Sequence, residues 1–92
     1  MNPLSKEDAA SHLGALTGWQ IEAGELTKTF KFEDFVAALA FVNRVGEQAE
    51  KAGHHPDIDI RYNRVRLGLV THDAGGLTVK DFELAAATDS LA

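Results

Sequence analysis

Four histidines, His12, His54, His55 and His72, are the side chains of this sequence best suited to chemistry at neutral pH, because an unperturbed imidazole titrates there. Two of them are adjacent, in the stretch GHHPDIDIRYN that begins at Gly53. Pro56 restricts His55 to extended backbone, and neighbouring side chains of an extended chain point to opposite sides. The pair therefore need not act as a pair: one ring can face a pocket while the other braces it. A histidine just past a helix C-terminus also favours the helix dipole, so a plain turn role stays open. His72 shifts the balance. It ends the strand that returns from a turn near Asn63-Arg64, and counting back across an antiparallel pair puts Pro56 and His55 roughly opposite it. Three imidazoles then meet at one end of a sheet. His12 reads as a partly exposed residue of the first helix.

Three histidines first suggest zinc, which takes three protein ligands at many catalytic sites. Adjacent ligands before a proline are geometrically awkward, and neither a His-x-x-x-His helical pair nor a cysteine set is present. Acid/base work is the better use, with one ring donating a proton and another accepting. Glu50, Asp57, Asp73 and Asp81 are the carboxylates placed to orient the rings. Asp81 also fits a helix cap, and the two roles can coexist.

Other chemistry finds little support. Gly75-Gly76 lacks the spacing and lysine of a phosphate-binding loop. Ser5, Ser11 and Ser90 have no nucleophile-elbow context. Arg61, Arg64 and Arg66 form a local basic group, expected to be a solvated face. The 14 acidic and 9 basic residues give a net charge of -5, which opposes general nucleic-acid binding. The absence of cysteine excludes disulfides and thiolate chemistry. The start MNPLSKEDAASH has no apolar stretch of signal-peptide type. No run of about 18 apolar residues suggests a membrane span, so a cytoplasmic location is expected.

The elements that must position the histidines follow from local pattern. Ser5 caps a first helix with Asp8 three residues on; Ala9, Leu13 and Leu16 recur at helical spacing, and Thr17-Gly18 ends it. Trp19 to Phe32 reads as two strands around a turn near Gly24, with Leu26, Lys28, Phe30 and Phe32 on one parity. Residues 33–51 form the longest helix. Its stripe is Phe35, Leu39, Val42, Gly46 and Ala49, widened by Ala38, Phe41 and Val45. Glu33 and Asp34 fall in its first turn, and Gly53 closes it. Ile58, Ile60 and Tyr62 form the packed side of the next strand. The returning strand, about 65–71, packs Val65, Leu67 and Leu69. After a turn at Ala74-Gly75-Gly76, Thr78 caps the last helix with Asp81 at its third position. Antiparallel hairpins alternating with helices predict an α+β domain spanning 1–92, in the order α-β-β-α-β-β-α. Two longer helices cover one sheet face.

These residues resemble the pterin-4a-carbinolamine dehydratase family. Its signature is an acidic residue, His-His-Pro, an aromatic, a later histidine and an aspartate, which fall here at Glu50, His54, His55, Pro56, Tyr62, His72 and Asp81. The string EKAGHHPDIDIRYNRVRLGLVTHDAGGLTVKDFELA is similar to the family core throughout, and Trp19 and LTKTFKFEDFVAALAFVNRV extend the likeness. The resemblance implies a four-stranded antiparallel sheet packed by helices, and homodimers or homotetramers. It implies dehydration of a 4a-hydroxytetrahydropterin to a quinonoid dihydropterin, regenerating the pterin used by aromatic amino-acid hydroxylases. No metal or organic cofactor is implied; the reduced pterin is the substrate. His54 and His72 are then the expected proton-transfer groups and His55 places the substrate, while Glu50, Pro56, Asp57 and Asp81 bind or orient. Ile58 departs from the family, which often carries an aromatic there. A second reading is a protein-binding dimerisation module, because some family members partner a transcription regulator.

Overall fold

The computed structural model describes residues 2–92. Helix α1 (Lys6–Leu13) leads into strands β1 (Gln20–Glu22) and β2 (Glu25–Lys31), then helix α2 (Phe35–Ala52). Strands β3 (Asp57–Arg61) and β4 (Arg64–Leu69) follow, then a 3-10 turn (His72–Ala74) and helix α3 (Val79–Asp89). The order is the one expected. The sheet is antiparallel throughout, with strands arranged β1-β2-β4-β3. The two hairpins therefore join through β2 and β4, whose register runs from Leu26↔Leu69 to Lys31↔Arg64.

One sheet face is apolar and carries every helix. Leu26 and Phe30 of β2 and Val65, Leu67 and Leu69 of β4 form a single core with Ala9, Phe41, Val45, Phe82 and Leu84. Phe41, Leu26, Leu67 and Leu69 are fully buried, each contributing roughly 1.5–3 kcal/mol of apolar transfer free energy. Phe41 packs against Phe30 and Phe32, with ring centroids 4.7 and 4.9 Å away. Because side chains alternate along a strand, the other face receives the polar set. Arg66 of β4 lies opposite Asp59 of β3 there, and Arg64 opposite Arg61. Arg61, Arg64 and Arg66 are exposed, as expected of a solvated group.

Several boundaries differ from the sequence expectation. Helix α1 ends at Leu13, with Gly14 as its C-cap, rather than at Thr17-Gly18. Trp19 precedes β1 instead of belonging to it, but is buried; its Nε1 donates to the Asp89 carboxylate at 3.0 Å. In α2, Asp34 is the N-cap and accepts from the Ala37 backbone N–H at 2.9 Å, so the first turn holds no acidic residue. The buried line of α2 is Ala38, Phe41, Val45 and Ala49, while Phe35 and Leu39 stay exposed. The apolar arc of this helix is wider than the surface it packs against.

The β3–β4 connection is a two-residue turn at Tyr62-Asn63, since Arg61 already pairs with Arg64. Tyr62 has φ 51° and is 67% exposed, so it is a turn residue and not part of the packed side. Ile58 is also exposed, because β3 is an edge strand and only Ile60 reaches the core. Asn63 exchanges two hydrogen bonds with Phe32, at 2.8 and 3.0 Å, fixing the turn against the entry to α2. Strand β4 stops at Leu69, which places His72 in the 3-10 turn beyond it.

Gly53 ends α2 in the left-handed region at φ 63°. Its N–H and that of His54 bond back to the carbonyls of Glu50 and Ala49, turning the chain toward the sheet. A Cβ at this position would meet no atom within 4 Å, so Gly53→Ala carries a purely conformational cost. Urea denaturation is expected to show a loss of about 1 kcal/mol; an unchanged midpoint would remove the strain argument.

Candidate active site

The exit from α2 and the exit from β4 meet at one end of the sheet. Asp57 pairs with Gly68, and continuing that register backwards brings His54 abreast of Thr71. There a cleft of about 270 Å³ is lined by all three expected histidines, His54, His55 and His72, together with Thr71, Asp73 and Lys80. A second cavity of about 200 Å³, between α2 and α3, shares His54 and Lys80 with it.

The adjacent histidines point apart, as extended backbone before a proline requires. His54 turns inward and its side chain is 12% exposed; Nε2 lies 2.6 Å from Oδ1 of Asp81. His55 turns outward to the Glu50 carboxylate, and its side chain is 62% exposed. His72 is exposed at the start of the 3-10 turn. His12 stands apart, stacked on Phe82 with centroids 5.2 Å apart.

Asp81 organises this end of the molecule. It is completely buried. Its Oδ2 accepts from the Thr71 hydroxyl and the Thr78 backbone N–H, both at 2.9 Å, and its Oδ1 meets His54. The same carboxylate forms a capping box with Thr78 at the start of α3. The cap and the contact with His54 thus coexist in one side chain. An ionised carboxylate only accepts hydrogen bonds, which makes Nε2 the protonated nitrogen of His54. Nδ1 then carries the lone pair. Among the described residues no group bonds to Nδ1 and no buried side-chain atom is left unsatisfied, so Nδ1 is accessible to solvent.

The other orienting positions divide. Glu50 acts through His55, and Asp73 lines the cleft directly. Pro56 and Asp57 do not line it. Asp57 shares the polar sheet face with Gly68, because the alternation that turns Ile60 to the core turns Asp57 and Asp59 away from it. Among the described residues no cluster of three or more metal-ligating side chains is arranged to hold an ion. Lys80 and Thr71 were not singled out from sequence. Lys80 is a cation in the first turn of α3, the end of the dipole that disfavours it, and that misfit is the signal it offered. Thr71 offered none beyond preceding His72.

The fold and the cleft together define a small α+β protein with three imidazoles lining one cleft. The comparisons agree with that class and specify it: the chain belongs to the pterin-4-alpha-carbinolamine dehydratase family, whose model matches residues 2–91. A relative from Acidobacterium capsulatum bearing that dehydratase name is 58% identical over 91 residues, covering 99% of each chain. One of the same name from Chloroflexus aurantiacus is 57% identical, covering 99% of this chain and 98% of its own. A crystal structure of a transcriptional coactivator/pterin dehydratase from Brucella melitensis superposes with a TM-score of 0.95 at 36% identity, over 99% of each chain. A pterin dehydratase-like RuBisCO assembly factor of the alpha-carboxysome matches with a TM-score of 0.65 at 26% identity, covering 79% of this chain and 84% of its own.

The two carboxylate–imidazole pairs differ sharply in burial. Asp81→Ala leaves two donors and His54 without their buried acceptor, and is expected to cost about 2–3 kcal/mol by urea denaturation. Glu50→Ala breaks an exposed pair and should cost less than about 0.5 kcal/mol. Equal costs would show that burial does not separate the pairs.

Proposed function

We propose that this chain dehydrates a 4a-hydroxytetrahydropterin to a quinonoid dihydropterin, through acid–base catalysis by its histidines. The observation that carries the reading is one cleft lined by three imidazoles, one of them locked by a buried carboxylate. The family membership supplies the substrate class.

In this reaction the lone pair of the neighbouring ring nitrogen forms a C=N bond as the C–O bond of the hydroxyl breaks. The leaving hydroxyl takes a proton and departs as water, and a ring N–H proton must be removed to leave the neutral product. His54 is the base: its open Nδ1 accepts the N–H proton, and Asp81 on Nε2 stabilises the resulting imidazolium. His72, exposed and lining the same cleft, is the acid that protonates the leaving hydroxyl. His55, held by Glu50, positions the bicycle. The proton taken at His54 and the one given by His72 are exchanged with solvent between turnovers, so substrate becomes product plus water with no net proton change.

We further propose that the chain works as a homodimer or homotetramer. Phe35, Val36 and Leu39 on α2 are exposed, Val36 by 75%. A second reading, a protein-binding module, is favoured by the same residues and by the coactivator description of the Brucella melitensis structure. Sedimentation separates the two. An oligomer that Val36→Glu dissociates assigns the face to a second copy, whereas a monomer at micromolar concentration leaves it open for another protein.

The direct test of activity supplies chemically generated 4a-hydroxytetrahydropterin and follows quinonoid product by absorbance. His54→Ala and His72→Ala are each expected to lower kcat by roughly 10²–10⁴-fold, and His55→Ala to act mainly on KM. Folded wild-type protein with no rate above buffer would reject the enzyme, and unchanged rates in all three variants would reject the site.

A further inference from the structure

We infer that Thr71 is a positioning residue that sets both proton-transfer histidines at once. The inference rests on the dehydratase reading for its kinetic consequence, but its structural content does not depend on it.

Thr71 is a buried polar residue at the junction between β4 and the 3-10 turn. Its hydroxyl has one proton, which it donates to Asp81 Oδ2 at 2.9 Å. The 2.8 Å contact with the Thr78 hydroxyl must then run the other way, with Thr78 donating to Thr71. The protons therefore point in one direction, from Thr78 through Thr71 to Asp81. Hydrogen bonds in such a chain polarise one another. The chain ends on the carboxylate whose other oxygen accepts a hydrogen bond from Nε2 of His54. Thr71 thereby helps keep Asp81 an acceptor in one orientation, which leaves the lone pair of His54 on Nδ1, the ring nitrogen no protein group occupies.

The backbone of Thr71 does the second job. Its N–H bonds to the Gly76 carbonyl at 3.1 Å, and its own carbonyl accepts from the N–H groups of Ala74 and Gly76 at 3.0 and 3.4 Å. These bonds close the loop 71–76, whose first free side chain is His72. A rotation or shift of Thr71 would move the His72 loop and loosen Asp81 together. Neither effect requires Thr71 to touch the substrate.

The test uses Thr71→Val, which keeps the shape and removes the hydroxyl, and Thr71→Ser, which restores it. In the dehydration assay Thr71→Val is expected to lose kcat by roughly 10- to 100-fold, the rate equivalent of one charge-assisted hydrogen bond. KM should stay within roughly twofold, and Thr71→Ser should recover most of kcat. Imidazole ¹⁵N spectra, recorded without substrate, should show neutral His54 protonated at Nε2 in the wild type and a mixed tautomer in Thr71→Val. A wild-type His54 protonated at Nδ1 overturns the inference, whether or not Thr71→Val folds. So does a Thr71→Ser protein as slow as Thr71→Val, since the methyl and not the hydroxyl would then matter. Wild type that fails to dehydrate the pterin, with His54 still shifting in Thr71→Val, rejects the enzymatic reading and keeps the positioning role. An active wild type with Thr71→Val unchanged in both kcat and spectrum does the reverse.

Discussion

A completely buried carboxylate holds the functional end of this protein together. Removing an ion from water is costly unless donors replace the lost hydration, and Asp81 finds three: the Thr78 amide, the Thr71 hydroxyl and the His54 ring. These belong to the start of α3, the exit from β4 and the exit from α2. The need to satisfy one side chain therefore fixes the relative placement of three elements. His54 gains a fixed tautomer from the same bond, so the group that stabilises the fold is also the one the proposed mechanism uses to prepare the base. The contrast with Glu50 is instructive. It too meets an imidazole, but both partners are exposed, and water screens and competes for the contact.

The sheet supplies the frame on which this junction rests. Pairing β2 with β4 places two hairpins side by side and gathers Leu26, Phe30, Val65, Leu67 and Leu69 on the face that the helices cover. It also leaves β3 at an edge, its far end leading back to the histidine pair. The polar face follows from the same alternation, and so does the removal of Asp57 from the cleft. At the other end of α3, Asp89 accepts from Trp19 and from Lys28, the latter at 2.8 Å. The helix is thus anchored by a carboxylate at each end, Asp81 in its first turn and Asp89 in its last.

Much of the site was legible in the chain. The opposed headings of His54 and His55 follow from Pro56, and the arrival of His72 follows from the length of one hairpin. The capping role of Asp81 follows from its spacing to Thr78, whereas its contact with His54 does not. The misreadings have a common cause. Tyr62 fits an alternating pattern, yet a two-residue turn claims it and drives its φ positive. The expected stripe on α2 includes Phe35 and Leu39, which stay exposed because apolar residues on that helix outnumber the positions the sheet can cover. Periodicity reports which residues are apolar, and neighbours decide which of them are buried.

What the sequence determined by itself is local: the caps at Ser5, Gly53 and Thr78, the strand alternation and the order of elements. Each depends on residues within about one helical turn or a tight hairpin, where side chain and backbone are always in reach of one another. The tertiary structure alone decided that β2 lies beside β4, that Thr71 stands next to Asp81, and that Asp81 reaches His54 across 27 positions. Such contacts form only when the apolar faces of distant elements dock in one register, because a slip of one residue reverses every side chain of a strand. The chemistry-bearing residues are written in the chain, but their partners are chosen by packing.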